Sequence, residues 1–235
     1  MFIFYINNNI IILGENMKNI KISMILNTLI VILVTIGTIF MFTGFTFMPA
    51  DTLLEATRKE MFKFYTVDSN ILMGLVALLL LVYEVLLYKG KIKEIPKVVY
   101  NLKFVGTAAI TLTFVVTLFF LAPMYGFYAM YNNNNLFFHL FVPVLAIISF
   151  IVVEKYDISY RTTFFGVLPM LLYSIYYATN ILIHLENGKP TWQYDFYNFL
   201  NGNVNNIFIT IPIILIVTYA IALVLTYLNK KLLKK

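Results

Sequence analysis

The groups in this chain that could move a proton or attack an electrophile are few: two histidines, some threonines and serines, and eleven carboxylates. There is no cysteine, which excludes a thiol nucleophile, a thiolate metal site and a disulfide framework. Thr66 stands in Phe64-Tyr65-Thr66-Val67-Asp68-Ser69-Asn70, and His139 stands four residues before Pro143. A threonine hydroxyl is a weak nucleophile until a base takes its proton. A neutral imidazole, with an ordinary pKa of about 6.5, is the side chain suited to that task. On a helix Thr66, Ser69 and Asn70 share one face, by i,i+3 and i,i+4 spacing, while Asp68 lies on nearly the opposite one. Thr66 also suits an N-cap, with Asp68 favourably placed in the first turn. His184 precedes a loop that carries Trp192, Tyr194 and Asp195. Asp68, Asp195 and the two histidines could offer nitrogen and oxygen to a metal, but no His-x-x-x-His or Glu-x-x-His pair places two ligands on one helix, so no metal is expected. Phosphate-binding glycine loops and the Gly-x-Ser-x-Gly elbow are missing too, which argues against nucleotide and serine-hydrolase chemistry.

The elements that must hold these groups are membrane helices. Of 235 residues, 61% are hydrophobic and 12% charged, too few charges to cover a water-facing surface; soluble domains carry about 25%. An apolar run of about 20 residues crosses a hydrocarbon core about 30 Å thick. Six runs qualify, at 24–47, 66–87, 104–124, 136–153, 163–184 and 205–228. They are continuous, without the alternation of a barrel strand, so the fold class is all-α, a polytopic bundle of six transmembrane helices. The organisation expected is an N-terminal segment 1–23, one transmembrane domain 24–229, and a basic tail 230–235. Residues 1–16 resemble translated leader, with Met17 as the native start. Pro143, Pro169 and Pro212 cannot donate to the carbonyls of His139, Phe165 and Phe208, so kinks are expected there.

Charge sets the orientation. The N-terminus, the second and fourth loops and the tail carry 13 Lys and Arg, Lys103 among them, against four in the other three loops. The positive-inside rule then places both termini in the cytoplasm of a multi-pass cell-membrane protein, and explains the net charge of +6 without a nucleic-acid partner. With that orientation Thr66, Asp68, Ser69, Asn70, His139, His184 and the Trp192–Tyr194 loop all fall toward the outer side. The inner half holds Glu84, which reads as a snorkelling residue near a helix end. Thr107, Thr111, Thr113 and Thr117 read as packing within the third helix.

Phe-x-Thr opening the second helix, His then Pro in the fourth, and His184 to Trp192-Gln193-Tyr194 after the fifth together resemble the androgen-induced transmembrane hydrolases. The likeness is closer still to their bacterial relatives, in which Phe-Thr-x-x-Ser-Asn and His-x-x-x-Pro recur, and it runs in order through residues 60–200. Animal members of that family are six-helix enzymes that cleave fatty acid esters of hydroxy fatty acids with a threonine nucleophile and a histidine. The resemblance implies those catalytic roles for Thr66 and His139. Here the proline follows the histidine one residue sooner than in the animal enzymes, and the residues after the threonine differ. The expected function is an intramembrane lipid ester hydrolase acting on a membrane lipid or fatty acyl ester near the outer leaflet, without a cofactor. Asp68, Ser69, Asn70, His184, Trp192 and Tyr194 are the expected binding residues, with Asn70, Ser69 or Tyr194 as oxyanion donors and Asp68 or Asp195 orienting the imidazole. The competing expectation is a non-catalytic ligand-binding protein, such as the substrate-capture subunit of a transporter, whose cavity would hold the threonine and histidine pointing apart.

Overall fold

The computed structural model describes residues 2–49, 57–154 and 156–233. Six helices are long and apolar enough to cross a membrane: α1 Lys18–Thr43, α2 Tyr65–Tyr88, α3 Lys97–Tyr125, α4 Asn134–Val153, α5 Thr162–Ile183 and α6 Val204–Leu233. No strand occurs among the described residues. The protein is an all-α six-helix bundle. Residues 1 and 234–235 lie outside the described residues, as does Lys155 of the basic loops.

α3 is the central helix. Of its most apolar stretch 56% is buried, against 11% for α6 and 28% for α1. It packs on α2, α4 and α6 and on the first turns of α5, while α1 closes the bundle against α2 and α4. Lipid offers no hydrophobic drive between helices, so such crossings need close approach. Glycines supply it. A Cβ on Gly37 of α1 would lie 2.6 Å from the Phe138 ring of α4, one on Gly74 of α2 2.8 Å from Val34, and one on Gly106 of α3 2.7 Å from Val76. Gly37 is thus spent on a contact within the chain.

Two sequence expectations change. α3 begins seven residues before the apolar run does, so Lys103 is inside the helix and fully buried, not a loop lysine. Glu84 is 3% exposed and accepts a hydrogen bond from Asn27 of α1, so it does not snorkel. Pro212 sits inside a continuous α-helical run, Ile207–Leu233, while Pro123, Pro143 and Pro169 follow local changes of winding. Before Pro143 the chain widens into a π-turn over Phe137–Phe141, where Val142 N–H bonds to the Phe137 carbonyl. The same device precedes Pro123, over Thr117–Leu121. Pro169 sits in the first turn after a tighter 3-10 segment, Thr162–Val167, and the Phe165 carbonyl is not left free: it accepts from Leu168 N–H. A proline at a first turn gives up no bond, because that N–H has no partner within the helix.

Candidate functional site

The chain enters α2 through Phe64, whose backbone is extended and whose side chain makes no cap. The first helical N–H, that of Tyr65, is satisfied instead by the Tyr197 hydroxyl, which accepts at 3.0 Å from the segment joining α5 to α6. Thr66 is therefore the second residue of the helix, not its cap, and its hydroxyl makes no hydrogen bond among the described residues. It faces a cavity of about 390 Å³ at the end of the bundle where α2 and α4 begin. That volume lies within the range of small-molecule sites, about 300–1,000 Å³.

His139 lines the same cavity from α4. Its placement follows from the π-turn, since widened turns shift the side chains they carry and recur at functional sites. The residue is 6% exposed, and Nδ1 lies 2.7 Å from the Met130 carbonyl. A carbonyl can only accept, so Nδ1 carries the hydrogen, and in the neutral ring Nε2 keeps its lone pair. The Tyr131 ring meets the imidazole edge-on with centroids 6.3 Å apart. The histidine is locked in the tautomer of a proton acceptor.

Asn70 ties the two helices together. Its amide nitrogen donates to the Thr66 carbonyl at 2.7 Å and to the Phe138 carbonyl, beside His139, at 3.1 Å. Two carbonyl partners fix which end of the amide is nitrogen. Both its protons are used, so Asn70 positions the site and offers no donor to a ligand. Ser69 likewise donates within the helix to Thr66 O at 3.1 Å or pairs with the Thr113 hydroxyl at 2.9 Å.

The other expected residues divide. Trp192 lines the cavity and is exposed at its mouth, with Gln193 beside it. Asp68 and Ser69 face a separate groove of about 220 Å³ between α2 and α5. His184 and Tyr194 stack on each other, centroids 3.8 Å apart, away from the cavity lining. His184 Nδ1 bonds to Asn180 O at 2.7 Å, so the pair fastens the loop. Asp195 does not orient the imidazole either. Its carboxylate accepts from the Tyr177 hydroxyl at 2.5 Å and from Phe199 and Leu200 N–H at 3.0 and 3.1 Å. The imidazole partner is a backbone carbonyl, which residue types alone cannot announce.

Tyr197 was missed by the sequence reading. It lines the cavity between Trp192 and Thr66, and burial pushes its phenol up to about 12, so the hydroxyl stays protonated. Lys63 lines the rim, paired with Glu60 at 3.1 Å. The rest of the wall is mainly apolar, with Met41, Leu121, Met130 and Phe196. Beyond Thr66 an apolar annex of about 40 Å³ runs between α3 and α6, sharing Thr66, Leu121 and Tyr197 with the main cavity. Among the described residues no three His, Asp or Glu side chains gather as a metal site. Thr66 and His139 share the cavity without a direct hydrogen bond. Comparison of the chain with known protein families, with curated proteins and with solved structures finds no match.

Proposed function

We propose that the protein is an intramembrane lipid ester hydrolase in which His139 is the base and Thr66 the nucleophile. The observation that carries this reading is the shared cavity: an imidazole whose Nδ1 is engaged by a backbone carbonyl lines it together with a threonine hydroxyl that no other described group engages. The apolar wall and annex suit an acyl chain, with the ester at the Thr66 end. His139 Nε2 takes the Thr66 proton as Oγ1 attacks the ester carbonyl. The tetrahedral oxyanion forms at the α2 N-terminus, whose positive end favours negative charge. Tyr197 and Gln193 are the neutral donors on that wall. Collapse expels the alcohol, which leaves with the proton from His139. Water then attacks the acyl-threonine and gives its proton to Nε2, and collapse returns that proton to Thr66 Oγ1 as the fatty acid leaves. Because no direct bond joins Thr66 to His139, transfer requires a closer approach or one bridging water, as catalytic hydrogen bonds without substrate are often long.

The site faces the outer leaflet in this reading, since the basic loops gather at the opposite end, and they still do with Lys103 removed from the count. The missing Thr66–His139 bond favours the second reading, a non-catalytic small-ligand-binding membrane protein. Fluorophosphonate labelling of the purified chain in detergent separates the two. The expected result is labelling of the wild type that is lost in Thr66→Ala and His139→Ala with folding intact. A wild type inert both to the probe and to small acyl esters, yet still binding fatty acid, would leave the binding reading.

A further inference from the structure

At the end of the bundle opposite the cavity, four helices converge on a buried polar cluster. Lys103 of α3 is 0% exposed, Glu84 of α2 3%, Glu154 at the end of α4 5%, and Asn27 of α1 0%. Lys103 Nζ lies 3.2 Å from Glu154 Oε1 and also donates to Asn27 Oδ1. Asn27 passes its own amide protons to Glu84 Oε2 at 3.2 Å and to Glu154 Oε1 at 3.4 Å. Ser149 donates to Glu154 Oε1 at 2.5 Å, and Ser23 reaches it at 3.5 Å.

The charges do not balance. Two carboxylates face one ammonium, and among the described residues no second cation forms an ion pair with either acid. Lys230 is paired with Asp157, and Lys21 lies over the Tyr88 ring. An uncompensated charge in a buried site costs several kcal/mol. Ionisable groups inside a membrane protein are accordingly paired, and mark proton or ion sites. Glu154 adds a second sign. Its Oε1 collects every donor named, while Oε2 is buried with no partner. That oxygen is an acceptor facing a missing donor.

We propose that this cluster is a proton-binding site that holds one exchangeable proton on the Glu84–Glu154 pair. Glu154 is the carboxylate, with the ammonium and two serines on it. Glu84, with neutral donors from Asn27 and Ser23 and no ion pair among the described residues, takes the proton as a carboxylic acid, and the proton comes from water at that end of the bundle. No other bond forms or breaks. The remaining titratable neighbours are Tyr100 and Tyr156, stacked with centroids 4.5 Å apart, and the exposed Asp157–Lys230 pair. Among the described residues α1 contributes Ser23 and Asn27. α6 contributes Asn229, whose amide donates to the Phe150 and Glu154 carbonyls. A proton suits the space better than a metal ion, because Lys103 already occupies the Asn27 oxygen and one Glu154 oxygen.

The test is an infrared pH titration of the full chain in lipid nanodiscs, with Glu84→Gln and Glu154→Gln beside it. The expected result is a protonated carboxylic acid carbonyl band at neutral pH, absent from both variants, since removing either acid leaves one carboxylate matched to Lys103. Folded chain then binds one more proton than unfolded chain, so wild-type melting temperature falls as pH rises, and Glu84→Gln flattens that slope. No acid band in the wild type, or a band that survives either substitution, overturns the proposal. So does a wild-type melting temperature that responds to sodium at constant ionic strength, which would put a metal cation in the proton's place. The wild-type spectrum decides even where a variant fails to fold, and none of these readouts depends on ester hydrolysis.

Discussion

Asn70 shows how one side chain can organise a site without taking part in its chemistry. It is fully buried, and its two amide protons bridge the Thr66 carbonyl of α2 and the Phe138 carbonyl of α4. Removing a buried donor strands its acceptors, at about 1–3 kcal/mol each in soluble proteins, and interhelical hydrogen bonds in membranes average nearer about 0.6. Asn70→Ala is expected to lower stability by about 1–2 kcal/mol in reversible detergent unfolding, and to cut probe labelling of Thr66. Asn70→Asp should be worse than alanine, because two carboxyl oxygens then oppose two carbonyls. An aspartate variant as stable as wild type would contradict the clamp. Sequence reading found Asn70 but assigned it to a ligand, because i,i+4 spacing shows which face a residue shares and not which proton it has already given away.

At the scale of elements, the positions of Thr66 and His139 depend on where α2 starts and how α4 is wound. Tyr197 sets the first and the π-turn before Pro143 the second. Proline in the sequence announced an irregularity, yet whether the chain kinks or widens depends on what packs beside it. Here Phe138 is held against the bare face of Gly37. The same argument makes the glycines of α1, α2 and α3 structural. Gly106→Ala would drive a Cβ to 2.7 Å from a Val76 methyl that is buried and stiff. Overpacking of this kind costs about 1–3 kcal/mol, so a matching drop in thermal stability is expected. An unchanged melting temperature would mean that α2 and α3 can separate freely.

The whole molecule carries two polar ends on an apolar middle. One end holds a cavity bounded by residues from α1 to α4 and from the α5–α6 connection. The other holds a buried ionic cluster drawn from α1, α2, α3 and the end of α4. Lys103→Met would leave the buried Glu154 carboxylate with no ammonium, and breaking such a pair typically costs about 3–5 kcal/mol. The variant is expected to be unstable at neutral pH and to recover as the pH is lowered, while Lys103→Met combined with Glu154→Gln should be more stable than the single variant. Melting curves across pH check both statements, and a single variant insensitive to acid would refute them.

Composition and run length by themselves determined a six-helix all-α membrane bundle, because apolar residues in stretches of membrane length have no other way to satisfy their backbone. They also brought Thr66, His139 and Trp192 to one end, since depth along a helix is a matter of counting. Only the tertiary structure decided which polar groups share a cavity. Asp68 turned to another groove, His184 and Tyr194 closed on each other, and Tyr197 entered the site from a connection with no periodicity to reveal it. Lys103 and Glu84 differ most from their sequence reading. Each looks like an end-of-helix charge bound for water, and each is buried because its partners stand on other helices, Glu154 for the lysine and Asn27 for the glutamate, 51 and 57 residues away along the chain. Pairing across that distance is a property of packing, and no local spacing encodes it.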